Sequence, residues 1–115
     1  MSVKIYHNPR CSKSRQTLAL LEDRGVELEI IYYLKTPPSA DELKSIIEKL
    51  GGSARDIVRK NEDAYRDNNL GDKSKSDGDI IAAMVASPKL IERPIVVTGE
   101  KAAIGRPPES VLDIL

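Results

Sequence analysis

Apolar and polar residues alternate at the start of the chain, Val3-Lys4-Ile5-Tyr6-His7, which predicts a strand, and Asn8-Pro9 breaks it. Good helix formers follow from Ser12 to Arg24, with Leu18 and Leu21 on one face and Gly25 placed as a stop. The segment Leu28-Glu29-Ile30-Ile31-Tyr32-Tyr33-Leu34 is β-branched, aromatic and almost wholly apolar, which predicts a strand buried on both faces. Strand, helix and strand in succession predict a parallel pair with a right-handed crossover.

Pro37-Pro38 ends that unit, and the pattern turns helical. Ser39 and Glu42 have capping-box spacing, and Leu43, Ile46, Ile47 and Leu50 recur at i, i+3, i+4 and i+7 before Gly51-Gly52. Ser53 with Asp56 predicts a short helix, Asn61 is placed to cap another around Tyr65, and residues 66 to 75 read as an exposed loop. Ser76 and Asp79 introduce a helix carrying Ile80, Ile81, Met84 and Val85 that should end before Pro88. Pro94-Ile95-Val96-Val97-Thr98, a turn at Gly99-Glu100-Lys101 and Ala102-Ala103-Ile104 predict an antiparallel hairpin. Pro107-Pro108-Glu109 opens a last helix with Val111, Leu112 and Leu115 as its apolar face. The order β-α-β, a helical insertion at about 37–91, and β-β-α on a small mixed sheet is the α/β thioredoxin-like arrangement. A single domain is expected over residues 1–115.

Charge narrows the function classes. With 18 basic against 18 acidic side chains in 115 residues, no positive surplus drives general attraction to nucleic acid or anionic lipid, so any positive site must be local. The longest apolar run, Ile80 to Ala86, is seven residues, far short of the roughly 20 that cross a bilayer. The first residues do not follow the pattern of a secretory leader, so a cytoplasmic protein without nucleic-acid or membrane partners is expected.

Cys11 is the single cysteine and His7 the single histidine. An intramolecular disulfide and a multi-thiolate zinc site are therefore excluded, and no metal site is expected. Any redox chemistry at Cys11 must take its resolving thiol from another molecule. Cys11 falls at the first turn of the predicted helix, where unpaired N–H groups and the positive end of the helix dipole favour thiolate over thiol, and Arg10, Lys13 and Arg15 add positive potential nearby. The plain alternative is a small buried apolar cysteine. The same helix start suits an oxyanion. A phosphatase-type cradle needs an arginine six residues after the cysteine, yet Thr17 stands there and the arginine is at Arg15. The Cys-x-x-Cys pattern fails as well, because Ser14 occupies the second place. A one-thiol nucleophile beside an anion site survives.

His7-Asn8-Pro9-Arg10-Cys11-Ser12-Lys13-Ser14-Arg15, Arg59-Lys60-Asn61, Arg93-Pro94-Ile95-Val96-Val97 and Gly105-Arg106-Pro107 together resemble the glutaredoxin-coupled arsenate reductases, over nearly the whole chain and in order. The resemblance implies that Cys11 is the redox-active nucleophile and that Arg59, Arg93 and Arg106 surround the substrate oxyanion. It also implies supporting roles for His7, which tunes the site, and for Ser14, Arg15 and Pro94, with Arg93-Pro94 a cis peptide. The implied activity serves arsenic detoxification. Arsenate is attacked by the Cys11 thiolate to give a thiol–arsenate adduct, and glutathione as co-substrate, then glutaredoxin, complete the reduction to arsenite. No bound cofactor is implied.

Plainer readings stand beside these roles. Arg59 would only pair with a surface carboxylate and Arg93 with Glu92, and Arg106, between Gly105 and two prolines, has a plain reading as well. Lys13 and Arg15 would be solvent-facing helix charges, and His7 a satisfied strand residue. Two other functions fit the same fold. One is an Spx-type transcription regulator binding RNA polymerase, although such regulators switch through the Cys-x-x-Cys that Ser14 removes. The other is a thiol oxidoreductase with a different substrate.

Overall fold

The structure, a computed structural model, describes residues Ser2–Leu115. The chain divides into two compact units, one combining the stretch up to Thr36 with Arg93–Leu115, the other Pro37–Glu92. In the first unit lie β1 (Ser2–Tyr6), α1 (Ser12–Asp23), β2 (Glu27–Ile31), β3 (Ile95–Thr98) and β4 (Lys101–Ile104). The four strands form one sheet in the order β2-β1-β3-β4. β1 runs parallel to β2 and antiparallel to β3, and β3 and β4 make an antiparallel hairpin. This is a small mixed α/β sheet of thioredoxin-like type.

Alternation along β1 decides the core. Val3 and Ile5 point to one face, where Ile5 is paired with Val96 and both pack with Leu21 of α1 and Val111. Leu18, Val26, Leu28, Ile30, Ala103 and Ile114 close around this cluster. At roughly 25 cal/mol per Å² of apolar surface removed from water, each of these aliphatic side chains contributes on the order of 1.5–3 kcal/mol when fully buried.

Two expectations fail here. The apolar run 28–34 is not a strand buried on both faces: β2 stops at Ile31, sits at the sheet edge and is at most half-buried along its length. A turn follows, with the N–H groups of Lys35 and Thr36 donating to the Tyr32 carbonyl, so Tyr33 is buried while Tyr32 and Leu34 are 46% and 41% exposed. A largely apolar run tells nothing about which strand edge is paired. The last helix is a 3-10 helix, Pro108–Ile114, not an α-helix with a Val111, Leu112 and Leu115 face. Its inward residues, Pro108, Val111 and Ile114, recur every three positions, which matches the three residues per turn of that helix.

The second unit holds α2 (Ala40–Leu50), α3 (Asp63–Asp67) and α4 (Asp77–Ala86), with 3-10 turns at Ala54–Asp56 and Pro88–Leu90. Ser39 caps α2, its Oγ accepting from the Glu42 N–H at 3.1 Å, and Gly51 ends it at φ +74°, a left-handed conformation that favours glycine. Leu43, Ile46 and Ile47 are buried, as the sequence period predicts. Ser76 and Asp79 form the predicted capping box at the start of α4. At α3 the cap position is Glu62, not Asn61. Residues 66–75 are not simply an exposed loop, because Leu70 is buried and Arg55 donates to the carbonyls of Leu70, Asp72 and Lys75. No described helix is long and apolar enough to cross a membrane.

Candidate active site

The loop from His7 to Cys11 joins β1 to α1, and side chains on α1 hold it in place. His7 is buried at the end of β1, and its Nδ1 lies 2.6 Å from Ser14 Oγ, one turn into the helix. The same hydroxyl oxygen accepts from the Asn8 N–H at 3.0 Å. Asn8 Oδ1 in turn accepts from the Arg10 N–H at 3.0 Å, an Asx-turn, and Arg15 Nη1 donates to the Pro9 carbonyl at 2.9 Å. Ser14 thus occupies the place of a second cysteine and acts as the loop's anchor. Burial lowers the His7 pKa below its ordinary 6.5; the Arg15 charge adds to that shift and Glu22 opposes it.

Cys11 is the N-cap residue of α1, with extended backbone. Its N–H donates to the Asn8 carbonyl at 3.0 Å, and its own carbonyl accepts from the Arg15 N–H, the first bond of the helix. No side-chain cap bond closes this helix start, and no acidic residue stands in its first turn. Cys11 as a residue is buried, 8% exposed.

Arg106 completes this cluster from the far end of the chain. Its Nη2 lies 3.5 Å from Cys11 Sγ, and its Nε donates to the Arg93 carbonyl at 2.8 Å. The guanidinium is therefore aimed at the sulfur by a backbone acceptor on the strand of residues leading into β3. Both Arg93–Pro94 and Arg106–Pro107 are cis peptides; the first matches the implied cis-proline and the second carried no sequence signal. Between them, the Gly105 N–H donates to the Pro94 carbonyl at 2.9 Å. A Cβ at Gly105 would lie 2.7 Å from Pro94 Cγ and closer still to Thr17 Oγ1 of α1, so only glycine lets this backbone approach.

The sequence-predicted residues therefore fall into two groups. The first unit brings together Cys11, Arg106, the Arg93 backbone, Pro94, His7, Ser14 and Arg15. Arg15 is tied to the loop carbonyl, while Arg10 and Lys13 are exposed. Arg59 belongs to the second unit and is paired there with Glu62 and Glu92, so the plain carboxylate-pairing reading holds for it in this state. Three contributors carried no assigned role in the sequence: Asn8, whose Asn-Pro step is a recognisable turn signal; Gly105, which lies inside a noted motif; and Tyr32, whose ring meets His7 edge-on at 5.8 Å. A cleft of about 430 Å³ opens beside the loop, lined in part by His7, Arg10, Tyr32, Leu34 and Lys35.

The sequence model of the ArsC family matches residues 6–114. The chain belongs to the ArsC family. This ArsC-family chain is 57% identical to the Escherichia coli K12 protein named "Uncharacterized protein YfgD", over 98% of this chain and 96% of the other. It is 50% identical to the arsenate reductase of Haemophilus influenzae, with 100% of each chain covered. The solved structure of an arsenate reductase from Vibrio cholerae superposes with a TM-score of 0.96 at 55% identity, over 100% of this chain and 98% of that one.

Proposed function

We propose that this ArsC-family chain reduces arsenate to arsenite, with Cys11 as the nucleophile and glutathione and glutaredoxin as the external thiols. The observation that carries the reading is the Arg106 guanidinium, 3.5 Å from Cys11 Sγ at a helix start that carries neither a side-chain cap nor an acidic residue. The guanidinium and the positive end of the helix dipole converge on that sulfur. The N–H groups of that first turn and the Arg106 fork are donors matched to a tetrahedral oxyanion.

In the first step the Cys11 sulfur forms a bond to arsenic and one arsenate oxygen leaves as water after protonation, so the arsenic remains As(V) in the adduct. Arg93 and Arg106 compensate charge on the remaining oxygens. The reduction needs two electrons, and the lone thiol in this chain cannot supply them and emerge reduced. A glutathione thiol and then a glutaredoxin thiol provide them, leaving as a mixed disulfide while As(V) becomes As(III). Hydrolysis releases arsenite and returns the Cys11 thiol.

The test is a coupled assay with arsenate, glutathione, glutaredoxin, glutathione reductase and NADPH, comparing the native chain with Cys11→Ser. Arsenate-dependent NADPH loss is expected for the native chain and is expected to vanish in the variant. Absence of that signal from the native chain would remove the assignment. Activity with glutathione that does not rise when glutaredoxin is added would leave the reductase and discard the coupling.

A further inference from the structure

Arg59 and its two carboxylates lie entirely within the unit Pro37–Glu92. Backbone pairing brings them together. The Arg59 N–H donates to the Leu90 carbonyl at 2.7 Å, the Glu92 N–H donates to the Ile57 carbonyl at 2.7 Å, and Val58 bridges Ile91 in antiparallel fashion between them. Arg59 Nη1 then donates to Glu92 Oε1 at 3.3 Å. On the other end of the guanidinium, Nε lies 3.4 Å from Glu62 Oε1, within ion-pair distance but not aligned for a hydrogen bond, and that nitrogen is buried. The three side chains are only 20–29% exposed, so water screens the pairs partly.

A guanidinium holds an oxyanion best through two parallel N–H bonds from one edge. Here a carboxylate stands at each end of the fork, and one of the donors it covers is poorly satisfied. Both carboxylates repel an arriving anion, and one of them must yield before the anion reaches the fork. We propose that Glu62 and Glu92 form a carboxylate latch on Arg59, which an arsenate-type oxyanion displaces, so that these two glutamates set the affinity of this chain for its anion. The inference rests on the reading of Arg59 as an anion ligand. A tetrahedral dianion competes with a carboxylate for the fork better than a monoanion does, so the latch also favours doubly charged guests.

Glu92→Gln keeps the shape and an acceptor oxygen while removing the charge, and Glu62→Gln does the same on the other side. The measurement is equilibrium binding of inorganic phosphate to the full chain, without thiols, with thermal unfolding run on every variant. Glu92→Gln is expected to tighten phosphate binding roughly fivefold, and Glu62→Gln by less. Arg59→Ala is expected to weaken binding, and adding Glu92→Gln to Arg59→Ala should then give no tightening. Unchanged or weaker binding in both glutamine variants, with Arg59→Ala weakened, would overturn the latch alone. Native-like phosphate binding by Arg59→Ala would overturn the latch together with the anion role of Arg59, while leaving the assignment of Cys11 and Arg106 to be judged by the coupled assay.

Discussion

Helices α1, α2 and α4 each begin just after a turn, but their first turns are chemically opposite. At α2 and α4 a serine hydroxyl accepts a backbone N–H, and Asp41 with Glu42, or Asp77 with Asp79, supplies negative charge where the dipole is positive. Those starts are neutralised internally, which stabilises the helix. At α1 the cap residue is Cys11, whose side chain makes no cap bond, the first turn carries Lys13, and Arg106 arrives from residue 106 to stand against the sulfur. That start is left without internal negative charge, and an oxyanion of the kind proposed as substrate would complement it. The difference teaches that a helix start is a site only when the chain declines to satisfy it.

The sharpest break of this contrast is Arg106→Lys. A point charge cannot both donate to the Arg93 carbonyl and reach the sulfur as the fork does, so kcat/KM in the coupled assay should fall about a hundredfold. A value within threefold of the native chain would show that the guanidinium geometry does not matter. Ser14→Ala tests the anchor that replaces a cap: it strands the Asn8 N–H and the His7 Nδ1, and should cost about 1–3 kcal/mol in urea unfolding. A loss below about 0.5 kcal/mol would mean the loop is held elsewhere.

Lys13→Asp makes the first turn of α1 resemble that of α2, since Lys13 and Asp41 hold equivalent positions. Alkylation of Cys11 by iodoacetate should slow about two- to fivefold, with a smaller effect on the neutral reagent iodoacetamide. Equal slowing of the two reagents would point to altered access instead of altered charge. The smallest effect concerns pH. The folded state holds the His7 proton less readily than the unfolded chain, so the contribution of neutral His7 to stability is complete above pH 6.5 and is lost as the pH falls below it toward the lowered folded value. His7→Gln should flatten the stability profile in that window; an unchanged profile would assign the slope to other groups.

Much of this was readable without coordinates wherever the signal was local. The capping serines Ser39 and Ser76, the apolar period through Leu43, Ile46 and Ile47, and the hairpin around Gly99 depend on neighbours a few residues away, and each took its expected form. The run 28–34 misled because burial of a strand depends on what lies beside it, and nothing within those seven residues, six of them apolar, says that β2 is an edge. At the site, Cys11 and the bases around it were conspicuous, whereas Ser14 stood out as a missing cysteine and an unspecified support, and its bonds to the loop are tertiary.

The sequence by itself determined that Cys11 is the one candidate thiol, that no internal resolving thiol exists, and the element order that sets Cys11 at the start of a helix after the first strand. Tertiary structure alone decided that Arg106, 95 positions away, meets that sulfur, that Ser14 fastens the loop, and that Arg59 stands between two glutamates. Local propensity and periodicity act over one or two turns. Contacts between distant residues are chosen by how the sheet registers and the core packs, and these are properties of the whole chain.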